Sequence, residues 1–194
     1  MAMFHDGNRK LQDAYGGRAV ADKIVDMVES SEISEDFKAF IEACPFFFLA
    51  TSANGTTDCS FKGGDPGFVR VTDPRTLIFP DYDGNRMYKS LGNIIENPSV
   101  GLLFINFGAE EGQGALFLRV RINGQARVHD NHDELASYPG ARRLVEVAVD
   151  HIYPNCPRYI PEMEMISQSR HLPRKGEEQP VPEWKKIPPI AEIL

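Results

Sequence analysis

From Phe46 onward the sequence consists of short runs rich in β-branched and aromatic residues, each closed by glycine, proline, asparagine or aspartate. The runs span residues 46–52, 57–61, 68–72, 76–80, 100–107, 116–128 and 143–153. Turn segments such as Ala53-Asn54-Gly55 and Gly63-Gly64-Asp65-Pro66-Gly67 separate them. This spacing is that of an antiparallel meander, because the runs do not alternate with helices long enough to carry a parallel crossover. The longest run sets Leu118, Val120 and Ile122 against Arg119, Arg121 and Asn123, which is the period of two expected of a strand with one face in a core. One short helix interrupts the series over residues 84–97, carrying Met87, Leu91, Ile94 and Ile95 and closed by Asn97-Pro98. A loop containing Glu110-Glu111-Gly112-Gln113-Gly114 joins the fifth and sixth runs.

Ahead of the strands, residues 9–43 read as helical. Leu11, Tyr15, Val20, Ile24, Met27 and Val28 recur near helical spacing. Ser34 is placed to cap a helix over 35–43 that ends before Pro45, since the residue preceding a proline leaves the helical region. The whole reads as an α+β domain on a small antiparallel barrel of six to seven strands, with N-terminal helices and short helices between strands. Residues 1–172 form that domain. Residues 173–194 hold Pro173, Pro180, Pro182, Pro188, Pro189 and Trp184 and read as an extended arm with an aromatic anchor.

Composition limits the partners. With 21 Lys and Arg against 28 Asp and Glu the net charge is −7, so the overall field repels nucleic acid and anionic membranes. Three cysteines without CxxC spacing support neither a disulfide framework nor a zinc knuckle. The first 18 residues lack the apolar run of a signal peptide, and no stretch has the length of a membrane span. We expect a cytoplasmic protein.

The familiar catalytic signatures are missing. No lysine-containing phosphate loop follows a glycine run, Gly112-Gln113-Gly114 lacks the third glycine of a dinucleotide fingerprint because residue 117 is Phe117, and no GxSxG elbow occurs. His132-Asp133-Glu134 has the first half of a deaminase motif without its cysteines, so His129 and His132 read as solvated loop residues. Cys59 reads as a small core residue. The positive evidence lies in residues 62–89, where Lys62, Arg70, Arg75, Arg86 and Lys89 outnumber Asp65, Asp73, Asp81 and Asp83 by one. Cations beside the start of a helix, where backbone N–H groups are free, are what a phosphate monoester requires. Gly84-Asn85-Arg86 offers that arrangement.

Here the residues carry a resemblance. Pro66-Gly67-Phe68-Val69-Arg70-Val71, Leu77-Ile78-Phe79-Pro80-Asp81, Gly84-Asn85-Arg86, Ser90-Leu91-Gly92-Asn93-Ile94, Asn97-Pro98 and Gly101-Leu102-Leu103-Phe104 resemble, in order, the pyridoxamine 5′-phosphate oxidase-like FMN-binding split barrels. Arg121-Ile122-Asn123-Gly124-Gln125-Ala126 and Asn155-Cys156-Pro157-Arg158-Tyr159-Ile160 extend the resemblance over roughly residues 40–165. It implies a homodimer with two FMN sites at the subunit interface and an oxidoreductase acting on a small molecule, with NADH or NADPH as a candidate reductant. Carried over by position, Asn85, Arg86, Lys89 and Ser90 would hold the phosphate from the helix entry. Ser60 and Lys62 would approach from the preceding strand, with Asn93 as a further candidate. Arg70 or Lys62 would serve near the flavin ring, Arg121 would reach from its strand, and Arg158 from the partner chain. No residue stands out as a general base. The family's closely spaced Ser-Arg-Lys phosphate motif occurs here in another order, and the Pro-rich arm replaces its C-terminal substrate clamp. The competing reading is a carrier that holds flavin, deazaflavin or haem without turnover, with His151 as a conceivable axial ligand.

Overall fold

In the computed structural model of the chain, which describes residues 3–108, 117–156 and 158–193, the strand-like runs form one antiparallel sheet of seven strands. β1 (Phe46–Ala53) and β2 (Thr56–Gly63) make a hairpin through Asn54 and Gly55, both left-handed at φ 51° and 76°. An Asn-Gly pair is the usual chemistry for that two-residue turn. β3 (Arg70–Asp73) and β4 (Thr76–Asp81) make a second hairpin, followed by α4 (Lys89–Glu96), β5 (Ser99–Ile105), β6 (Arg119–His129) and β7 (Arg143–Pro154). The strand order is β2-β1-β5-β6-β7-β4-β3.

Alternation decides which side chains meet. In β1, Phe47 and Leu49 are fully buried, while Phe46 and Phe48 point to the other face. The Phe47 ring lies 5.0 Å from Phe79 of β4 and 5.0 Å from Phe104 of β5. Strands β1 and β4 are not neighbours in the sheet, so this contact exists because the sheet curls round and packs its inner face on itself. The two edges, β2 and β3, do not pair with each other. The result is a split barrel, α+β in class, as the sequence led us to expect.

The N-terminal helical region divides into α1 (Asp6–Ala14), α2 (Arg18–Val28) and α3 (Glu35–Ala43). Ser34 Oγ accepts the Phe37 N–H at 3.3 Å, and α3 buries Phe37 and Ile41 in the core, with the bounds its capping serine and Pro45 predict. The apolar positions of α1 and α2 behave differently. Leu11, Val20, Ile24 and Met27 are more than half exposed, and neither helix buries a residue completely.

Other expectations need correction. Phe68 and Val69 precede β3 instead of belonging to it, because Gly67 turns the chain left-handed at φ 88° and the Phe68 N–H closes back on Asp65 O at 2.9 Å. The helix expected from residue 84 begins only at Lys89, since Arg86 and Tyr88 are themselves left-handed. Cys59 is exposed. His129 and His132 are largely buried, with their Nε2 atoms 3.7 and 3.9 Å from the Glu146 carboxylate. The loop over residues 110–114 and Pro157 lie outside the described residues.

One glycine is dictated by close approach. The β6–β7 ladder shifts register between Asn123 and Gly124, and a Cβ on Gly124 would meet Ala148 O at 2.3 Å. No side-chain rotation relieves a clash with backbone. Gly124→Ala is therefore expected to lower the urea midpoint by the equivalent of about 1–3 kcal/mol. An unchanged midpoint would show that the bulge can relax.

Candidate functional site

β2 is an edge strand, so its inner face is not fully covered. Alternation places Asp58, Ser60 and Lys62 along it, facing the segment from Asp81 to Leu91 that leads from β4 into α4. Between them is a cavity of about 610 Å³, also lined by Phe68, Phe79, Tyr82 and Arg142. That volume lies within the usual range for small-molecule sites, about 300–1,000 Å³.

The connection from β4 to α4 gives the cavity its character. Arg86 (φ 61°) and Tyr88 (φ 52°) hold left-handed conformations that non-glycine residues seldom adopt. The Asn85 carboxamide accepts the Met87 N–H at 3.0 Å, bracing the turn. Tyr88 is the N-cap of α4 and makes no side-chain capping bond. The first N–H groups of the helix are therefore without a side-chain acceptor, with the positive end of the helix dipole, at the cavity wall.

Three carboxylates border the same space. Asp81 pairs with Arg143 at 3.1 Å, although burial is the larger influence and pushes its pKa up. Asp83 is held by Lys185 and by Arg142 at 2.8 Å, and the bond from Lys185 is the main reason its pKa is lowered. Asp58 accepts the Ser90 hydroxyl at 3.3 Å, and Ser90 lies 2.9 Å from Ser60. As placed, the two serine hydroxyls point their protons along a chain ending at Asp58. Anion binding here then falls on the cations and the helix N–H groups. Lys62, Arg86 and Lys89 make no ion pair among the described residues. Burial lowers the Lys62 pKa, opposed by Asp81 and Asp58.

Six of the ten residues singled out from the sequence, Ser60, Lys62, Asn85, Arg86, Lys89 and Ser90, line this cavity. The other four lie elsewhere in the chain. Arg70 does not line the cavity: it is stacked 4.1 Å from the Tyr138 ring and bonded to Ser137 and Glu134. Asn93 donates to Thr51 Oγ1 at 3.0 Å. Arg121 lines a separate cleft of about 390 Å³ beneath α2, and Arg158 is exposed beyond β7. His151 is held 2.6 Å from Glu29 under α2 and does not line the cavity. Among the lining residues that the sequence reading did not single out are Asp58 and Arg142. Asp58 was within reach, since it shares the strand period of Ser60 and Lys62, whereas Arg142 arrives from the β6–β7 connection with no local signal.

Comparison with known proteins bears on the same region. No curated protein matches the chain. Solved structures with the same general likeness include HupZ of Group A Streptococcus, 17% identical over 64% of this chain and 98% of that one, with a TM-score of 0.47. General Stress Protein 26 of Bacillus anthracis is 16% identical over 62% and 94%, with a TM-score of 0.42. A FAD-binding protein of Mesorhizobium loti is 12% identical over 60% and 90%, with a TM-score of 0.38. The sequence profile of pyridoxamine 5′-phosphate oxidase matches residues 33–170, a span that runs from the start of α3 past β7 and includes every residue that lines the cavity. The chain belongs to the pyridoxamine 5′-phosphate oxidase family.

Proposed function

We propose that this cavity binds FMN and that the protein is a dimeric FMN-dependent oxidoreductase acting on a small molecule, with NADH or NADPH as reductant. The observation that carries the reading is the N-terminus of α4, without a side-chain cap and opening on the cavity beside Arg86, Lys89 and Lys62, which have no ion-pair partners among the described residues. A phosphate monoester satisfies both halves of that arrangement, the free N–H groups and the unneutralised cations. Asp81 and Asp83 do not close the corner, because Arg143, Arg142 and Lys185 engage them.

In this reading Arg86 and Lys89 grip the phosphate, and Asn85 holds the turn that presents them. Lys62 places its charge on the facing strand. Bound there, an isoalloxazine supplies hydride acceptance and donation, so the chain needs no nucleophile of its own. Phe68 and Phe79 provide the apolar wall that excludes water.

Dimerisation draws support from the outer face of the barrel. Phe61 is 62% exposed and stacks on Phe46 at 5.3 Å, with Phe48 and Phe107 beside them. A contiguous aromatic surface of this kind is a mark of an interaction site, and it runs into the cavity through Phe61. Arg121 and Arg158, away from the cavity of their own chain, would then reach that of a second copy.

Titration with FMN, followed by absorbance near roughly 450 nm, tests the reading. Arg86→Ala is expected to weaken FMN about 10- to 100-fold, the worth of a charged hydrogen bond, and riboflavin little. Equal losses would make Arg86 structural. Lys62→Met is expected to weaken FMN as well, yet raise the Tm of the ligand-free protein at neutral pH. A lysine whose folded pKa is lowered carries a penalty while charged, and that penalty disappears as pH rises through the ordinary lysine range. A lower Tm would contradict this. Phe61→Glu is expected to yield a monomer by ultracentrifugation that releases flavin; a monomer retaining it would place the whole site in one chain.

A further inference from the structure

The Pro-rich arm expected from residue 173, together with the segment from residue 158 that leads to it, is fastened at several points. The Met163 N–H donates to Phe107 O at 2.9 Å. Gln168 Nε2 donates to Gly64 O at 3.0 Å, and Arg174 holds Asp65 with two bonds of 2.9 and 3.0 Å. Pro173 lies against Gly140, where a Cβ would meet the proline ring at 2.4 Å. Lys185 closes the series on Asp83.

The last three of these anchoring places share one property. Gly64 and Asp65 belong to the connection from β2 to β3, Asp83 to that from β4 to α4, and Gly140 to that from β6 to β7. Each of these connections also borders the cavity, through Phe68, through Asp83 to Tyr88, and through Arg142. Lys185 and Arg142 meet on the same carboxylate. The arm thus ties together three segments that are far apart in sequence and that jointly frame one opening.

We propose that the arm is a latch on the cavity: it holds the three bordering connections in place, and a ligand enters or leaves when the arm lifts. For FMN as that ligand the inference rests on the function proposed above. The strength of the fastening suits such a role. The side chains of Arg174 and Asp65 are 39% and 46% exposed, those of Lys185 and Asp83 20% and 34%. Pairs this open to solvent are weak and salt-screened, with a Debye length that falls from about 8 Å in physiological salt to about 3 Å at 1 M. The arm can therefore detach while the barrel stays folded. Arg174 and Lys185 hold Asp65 and Asp83 below the ordinary carboxylate pKa, so both aspartates are charged at neutral pH, and acid that protonates them loosens the arm as salt does.

Trp184 is the single tryptophan of the chain and neighbours Lys185, so its quenching by acrylamide follows the arm with or without flavin. Acetylation of Lys62 by acetic anhydride, read by mass spectrometry, follows access to the cavity in the same way. In the full-length Arg174→Gln/Lys185→Gln variant we expect Trp184 to become more quenchable. Lys62 acetylation and FMN release are both expected to quicken by about three- to tenfold. Raising NaCl from about 0.05 to about 0.5 M should move the unmodified protein the same way, and Arg174→Lys with Lys185→Arg should restore slow rates. If Trp184 is freed while Lys62 acetylation stays constant, or if neither changes, the latch is refuted. Should FMN fail to bind while Lys62 responds, the flavin reading falls and the latch stands. Should FMN bind with Lys62 indifferent to the variant, the reverse holds.

Discussion

Everything in this molecule depends on the sheet closing over Phe47. Its ring touches Phe79 across the barrel and Phe104 alongside, and Phe68 stacks at 6.0 Å. Flattened, the sheet would leave these inner-face side chains in water; curled, it buries them together with Leu49, Ile122 and Val147. Burial of each large apolar side chain contributes about 1.5–3 kcal/mol, and no other face of the chain gathers as many. Curling also determines where the edges fall. β2 ends at one side without a further strand, and the space beside that free edge becomes the cavity.

Charge is distributed around that space unevenly. The chain is acidic overall, and three aspartates border the opening, yet among the described residues their partners leave Lys62, Arg86 and Lys89 without an ion pair beside a helix terminus. A site for an anion in an acidic protein needs this selective neutralisation. Without Arg143, Arg142 and Lys185, the carboxylates would dominate the local potential.

Much of this could be read from the residues in order. The Asn54-Gly55 turn, the limits of α3 between Ser34 and Pro45, and the alternation of β1 and β6 follow from local chemistry, and local chemistry reproduces them in the fold. The stretch from Asn85 to Ser90, and Ser60 with Lys62, entered through the family resemblance; contiguity in the first case and a shared strand face in the second are why the fold brings them to one cavity. Arg70 and Arg121 lie away from the cavity of their own chain because position along a strand does not state which side of a closed sheet a residue occupies, and Asn93, on α4, turns to Thr51 instead. The true start of α4 was hidden because arginine and tyrosine rarely take left-handed conformations, and nothing local announces that they do so here. Arg142 and the fastenings of the arm are long-range, set by the closure of the barrel.

The two left-handed residues carry a consequence for how the protein yields. Each holds backbone strain of order 1–3 kcal/mol that glycine would avoid, but glycine at 86 would remove a charge and at 88 a ring that Arg143 covers at 5.2 Å. The turn is thus kept wound by its surroundings, like a spring under a catch. Under warming or denaturant such a strained connection is expected to slacken ahead of the barrel, so that on the proposed reading local loosening and release of the phosphate become the same event.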